Sequence, residues 1–184
     1  GDPRVVCLPT AAGKESTERI AYWSNLGVEH FTKLGVRVEA VEIVDRDGAM
    51  DPAASDRIAA ANLVYLSGGS PNYLYDTLVG TSAYEAIVGV LANGGVVAGC
   101  SAGAMIWGER IPGLLPPPFA WKRGFNTVPG TTIIPHFDEI PRWLTWGFRT
   151  VNFNRPTMVG IEGDTALIWS GGAPVVRGKG AVVL

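Results

Sequence analysis

The chain has 184 residues and a formal net charge of −2, with 47% hydrophobic and 17% charged residues. That is long enough to bury a real core and too apolar for a disordered chain. It has neither a basic stripe for nucleic acid nor an apolar stretch near the ~20 residues of a membrane helix, so neither partner is expected.

Only two cysteines occur, Cys7 and Cys100, both in apolar runs. A disulfide framework is not expected, and a reducing cytoplasm fits better. Neither cysteine has metal-ligand spacing and only two histidines are available, so no metal and no cofactor are expected. The chain opens Gly1-Asp2-Pro3-Arg4 and runs straight into a strand pattern, with no signal peptide in view.

In chain order, residues 4–9 (RVVCLP) predict a buried strand. Ser16 or Thr17 caps a predicted helix to about Leu34, with Ile20, Trp23, Gly27, Phe31 and Leu34 on one face. His30 lies beside that face and reads as a surface or boundary residue. Gly35 is a C-cap, and residues 36–44 alternate like a strand. Asp51-Pro52 opens a short helix, and residues 63–66 form another buried strand. Gly68-Gly69-Ser70-Pro71 leads into a helix with Leu74 and Leu78 inside and Gly80 at its end. Ser82 and Glu85 read as a capping box for a helix to about Asn93. The alternation predicts a parallel sheet with helices on both faces.

Next come the strand-like run 95–98, the turn Gly99-Cys100-Ser101-Ala102-Gly103 and a helix starting at residues 104–107. A Gly-x-Ser-x-Gly bend between strand and helix holds a serine in a strained turn above free helix N–H groups. Ser101 is therefore the candidate nucleophile. Residues 111–119 (IPGLLPPPF) cannot be helical and predict a long functional loop exposing Leu114, Leu115 and Phe119. A strand is expected at 131–135, then His136, then a helix capped by Asp138 and running to about Thr150. Short strands at 158–161, 166–169 and 174–177, with Gly171-Gly172 as a hairpin turn, give an antiparallel tail. One domain, 1–184, is expected.

A serine nucleophile needs a base and a group that orients it. His136 follows a strand, as Ser101 does, whereas His30 sits inside a helix, so His136 is the candidate base. For the acid, Glu162 comes first, Asp164 second, and Glu109 or Asp138 behind them. Ala102 N–H is one oxyanion donor and Gly69 N–H the second. Arg142, Arg149 and Arg155 are candidates to pair with a substrate carboxylate.

Four ordered segments carry a resemblance. Residues 66–71 with Leu74 and Leu78 resemble a Gly-Gly-Asn motif with spaced leucines. Gly99–Ala104 resembles a Gly-x-Ser-Ala-Gly-Ala nucleophile turn. Pro135–Asp138 resembles a histidine segment, and residues 160–167 a Gly-Ile-Asp-Glu-x-Thr-Ala-Leu segment. Residues 8–12 also look like the first loop of the same group, the dipeptidase E and cyanophycinase family of serine peptidases. The resemblance implies the class I glutamine amidotransferase-like, flavodoxin-like fold: a three-layer α/β domain with a mostly parallel sheet and a C-terminal antiparallel portion. It implies a Ser–His–Glu triad in that chain order, unlike an α/β-hydrolase, and cleavage beside an acidic residue in a small peptide. It implies, together with the 111–119 loop, a homodimer. Members begin with an extra strand, and this sequence starts after its place. The amidotransferases carry cysteine at the elbow centre, where this chain has Ser101; Cys100 is one residue early and is expected to face the core. The alternative is a non-catalytic amidotransferase-like binding or regulatory domain, with a glutaminase as a weaker third reading.

Overall fold

The computed structural model describes residues 2–113, 121–141 and 156–184. The chain forms two compact units, Gly1–Gly103 and Ala104–Leu184. The fold is mixed α/β, with a central parallel sheet flanked by helices.

In the first unit the strands are β1 (Arg4–Leu8), β2 (Arg37–Ala40), β3 (Leu63–Leu66) and β4 (Val96–Gly99). They pair in the order β2-β1-β3-β4, all parallel. The helices are α1 (Thr17–Lys33), α2 (Arg46–Met50), α3 (Pro52–Ala59), α4 (Pro71–Leu78), α5 (Ser82–Ala92) and α6 (Ala102–Met105). Because β1 and β3 are neighbours but their crossovers run in opposite directions, right-handed connections put α1 on one sheet face and α3 on the other. The helix α1 covers the face of Cys7 and Tyr65. Phe31 meets the Tyr65 ring edge-on at 5.5 Å. Gly27 is needed there, because a Cβ would stand 2.9 Å from Cys7 Sγ. The opposite face carries Val6, Leu8, Val64 and Leu66, all essentially buried, above a helical layer containing Ile58, Leu74, Leu78 and Ile87. Each such side chain contributes roughly 1.5–3 kcal/mol by leaving water.

Capping explains most helix starts. Ser16 accepts from Arg19 N–H at 3.4 Å and Ser70 from Tyr73 N–H at 3.3 Å. Gly35 takes φ +75 after α1, as a C-cap glycine does. Three expectations are corrected. The cap of α5 is Thr81, which accepts from Tyr84 N–H, while Ser82 Oγ bonds Ser55 Oγ and the Ala49 carbonyl instead. The predicted strand 36–44 stops at Ala40: beyond Val41 N–H, which still reaches the Cys7 carbonyl, the chain turns in and buries Val41 and Ile43. Residues 45–50 hold a short helix that the pattern did not suggest, capped by Asp45 on Gly48 N–H at 2.8 Å.

The second unit holds β5 (Arg110–Ile111), β6 (Lys122–Arg123), β7 (Thr131–Pro135), β8 (Thr157–Ile161), β9 (Thr165–Ile168), β10 (Val175–Gly178) and β11 (Val182–Val183). The tail is mixed, not simply antiparallel. The strands β7 and β8 are parallel neighbours, and β11 flanks β8 on its other side, antiparallel. The hairpin β9–β10 turns at Gly171, which has φ +80. Leu114, Leu115 and Phe119, on which the dimer expectation leaned, lie outside the described residues, as does most of the helix expected after Asp138. No described helix is long and apolar enough to cross a membrane.

Candidate active site

The nucleophile candidate stands at the C-terminal ends of β1, β3 and β4. The ladder continues past the strands: Ser67 N–H donates to the Leu8 carbonyl and Cys100 N–H to the Leu66 carbonyl, both at 3.1 Å. Ser101 then turns sharply, with φ +50. Left-handed backbone costs an L-residue roughly 1–2 kcal/mol. It persists only where the surroundings fix it, most often at functional sites.

The surroundings do fix it. A Cβ on Gly103 would collide with the Leu66 carbonyl oxygen, so the chain leaving the elbow lies directly against the end of β3. A Cβ on Gly68 would stand 3.2 Å from Ser101 Cβ and 3.6 Å from its Oγ. Gly69 has φ +140 and is pressed on the Ala11 carbonyl, and the next N–H, of Ser70, donates to that same oxygen at 2.9 Å. Within this unit the N–H groups of Gly69 and Ala102 have no described acceptor. The expected helix dipole is much reduced, because α6 has only four residues.

Three buried polar atoms at this edge lack a described partner: Thr10 Oγ1 after β1, Ser67 Oγ after β3 and Trp23 Nε1 on α1. Each such group costs about 1–3 kcal/mol. The edge is thus locally strained and locally undersatisfied.

Sequence reasoning counted Trp23 among the core residues of α1 and passed over Arg19. In the structure, the far edge of the Trp23 indole comes within 3.9 Å of the Cβ position of Gly68, the residue beside Ser101. Arg19 lies over that indole at 5.4 Å and over the Tyr22 ring at 5.1 Å. Its Nε bonds Glu15 at 3.2 Å, and its two terminal nitrogens make no described hydrogen bond. The signal in the sequence was faint: an aromatic pair three and four residues after an arginine near a helix start. Arg142, Arg149 and Arg155 lie outside the described residues.

Cys100 is partly exposed and Cys7 buried; both are free thiols. Burial pushes the Cys7 thiol up to about 11. The Tyr65 hydroxyl is also raised, first by burial and then by its hydrogen bond with Cys100.

In the second unit His136 directly follows β7 and has φ +53. Pro135 pairs with Ile161, so His136 and Glu162 leave adjacent parallel strands at the same level. Glu162 Oε2 accepts from Ala181 N–H at 2.7 Å, which turns that oxygen toward the β11 side. Asp138 is not a helix cap: it lies inside a 3-10 turn, Phe137–Glu139, and its Oδ1 accepts from Gly163 N–H at 2.8 Å. Asp164 pairs with Lys179 at 2.9 Å, and Glu109 lies 3.6 Å from Arg110 Nε. Among the described residues of this unit, no carboxylate is hydrogen-bonded to the His136 ring, so the bond expected from Glu162 is not formed here. His30 is exposed on α1, as expected. No described cluster of ligating side chains could hold a metal.

Comparison with known proteins bears on the whole arrangement. The chain is similar to a peptidase from an acI-B1 Actinobacterium, with 33% identity and a TM-score of 0.84 over 97% of this chain and 75% of that one. It also has the fold of a putative peptidase E from Listeria monocytogenes EGD-e, at 21% identity and TM-score 0.73 over 97% of this chain and 87% of that one. No curated protein matches it. The model of peptidase family S51 matches residues 1–175. With that model matching nearly the whole chain, the chain belongs to peptidase family S51 and is a serine-type peptidase.

Proposed function

We propose that this serine peptidase hydrolyses small peptides beside an acidic residue, with Ser101 as nucleophile, His136 as general base and Glu162 as the orienting acid. The observation that carries the reading is the elbow. Ser101 is held left-handed against Gly68, with two N–H groups alongside that have no acceptor among the described residues.

In the proposed reaction Ser101 Oγ attacks the scissile carbonyl carbon as its proton passes to His136. The carbonyl oxygen gains charge and is met by the N–H groups of Ala102 and Gly69. Collapse breaks the C–N bond, and His136 returns the proton to the leaving amine. Water then cleaves the acyl-serine by the same route. Glu162 supports the imidazolium formed in each half. Its Oε2 is tied to Ala181, while Oε1 has no described partner, and such bonds tighten in substrate complexes.

An acidic substrate is supported by Arg19. Its guanidinium is stacked on Trp23 beside the elbow, and two terminal nitrogens are open to a carboxylate. Fluorophosphonate labelling followed by peptide mapping tests the nucleophile: adduct on Ser101 is expected, and a chain that stays unlabelled overturns the reading. A screen of Asp-X, β-Asp-X and neutral dipeptides tests the substrate class. Preference for neutral peptides overturns the acidic assignment alone.

A further inference from the structure

The geometry points to Asp138 as a positioning residue for His136, and not as the acid of the triad. The inference rests on His136 being the base. His136 stands at the junction of β7 and a 3-10 turn, in a left-handed conformation that nothing in its own side chain stabilises: the ring makes no capping bond. Something beyond it must hold the turn. Two contacts do so, both onto β8 and the loop after it. The Phe137 ring lies flat on Gly160, where a Cβ would stand only 2.5 Å from ring carbons. One residue further, Asp138 Oδ1 receives the Gly163 N–H at 2.8 Å, and Oδ2 is the nearest atom to the Cβ position of Gly163, at 3.4 Å. The next backbone bond, Glu139 N–H to the His136 carbonyl at 3.0 Å, closes the turn.

The turn carrying His136 is thus fastened to the loop carrying Glu162. A charge-assisted bond to a backbone N–H is stronger than a neutral one. Losing it leaves the packing of Phe137 on Gly160 as the described tie between the turn and β8, and the His136 ring then samples orientations away from the substrate. This role needs an oxygen acceptor at Asp138 but no negative charge, which separates it from the role of a triad acid.

The experiment compares Asp138→Ala, Asp138→Asn and His136→Ala in the full chain. Asp138→Ala is expected to lower kcat by roughly 10- to 100-fold, the effect of misplacing a catalytic group by an ångström, with KM nearly unchanged. Asp138→Asn keeps an oxygen for Gly163 and is expected to stay within about threefold of the parent. A loss in Asp138→Asn of about a thousandfold or more would make Asp138 the acid and overturn the proposal. Full activity in Asp138→Ala also overturns it. If Asp138→Ala does not fold, amide exchange of Gly163 decides: slow exchange in the parent and in Asp138→Asn supports the tether, and fast exchange in the parent overturns it. Turnover surviving in His136→Ala removes the base assignment instead, whatever Asp138 does.

Discussion

Gly68 and Ser101 lie so close that a single methyl group on the glycine would stand 3.2 Å from the serine Cβ and 3.6 Å from its Oγ. The loop after β3 therefore presents bare backbone to Ser101, the candidate nucleophile just after β4. Two glycines in succession keep that backbone bare, and Trp23 closes its far side.

Ser101→Ala is expected to lower kcat/KM by several orders of magnitude, as loss of a nucleophile does, with the fold kept. Ser101→Gly is expected to be equally inactive but more stable by about 0.5–1 kcal/mol, because glycine adopts φ +50 without the Cβ penalty. Thermal melts of the pair check this. An alanine variant that still turns over sinks the nucleophile assignment.

His136→Ala is expected to be as damaging as Ser101→Ala, while His30→Ala changes nothing measurable. His30 is exposed, with its ring edge-on to Phe31 at 5.2 Å. Parallel steady-state kinetics check the pair, and the reverse pattern would show the base to be misassigned.

Glu162→Gln retains an oxygen for Ala181 N–H but cannot support an imidazolium. A loss of about a thousand- to ten-thousandfold in kcat is expected, the scale seen when a triad acid becomes its amide. Activity near that of the parent would leave His136 without this acid.

Arg19→Gln is expected to raise KM for peptides with an acidic side chain by roughly tenfold, a charge-assisted bond of about 1.5 kcal/mol, and to leave neutral peptides unaffected. Equal losses on both substrates would mean Arg19 merely braces Trp23.

Alkaline stability should reveal the buried thiol. Cys7 is raised to about 11, so the folded protein keeps it neutral where the unfolded chain already ionises it. The contribution is complete below about pH 8.5 and is lost as pH climbs toward 11. The buried Tyr65 hydroxyl, also raised, acts in the same direction at higher pH. Melts from pH 8 to 11 should show a shallower decline for Cys7→Ala than for the parent; parallel declines would argue against the shift.

Much of the first unit was legible because its signals are local. Ser16, Asp51-Pro52, Ser70-Pro71 and Gly35 each mark a boundary within a residue of where it falls. The strands β1 and β3 are dense apolar runs, Val5–Leu8 and Leu63–Leu66. The helix α2 escaped notice because five residues containing Gly48 and one buried alanine carry no readable period. The strand β11 is two residues long and exists only by pairing with β8, twenty residues away. The same distance hid what the acids do. Nothing near Glu162 announces that Ala181 will occupy one of its oxygens, nor near Asp138 that Gly163 will claim it. Trp23 and Arg19 were readable as helix positions but not as neighbours of an elbow far along the chain.

The seat of α1 on Gly27 has a practical corollary for anyone handling the protein. Cys7 Sγ lies where even a methyl group on the helix would be 2.9 Å away. A sulfur that has gained an oxygen, or a glutathione, has no room beneath that helix. In the finished molecule burial and a raised pKa shield the thiol from oxidants. In the denatured chain nothing does, and a molecule oxidised there carries an obstruction at the centre of its first strand. Recovery from denaturant should therefore depend on reductant being present while the chain is open.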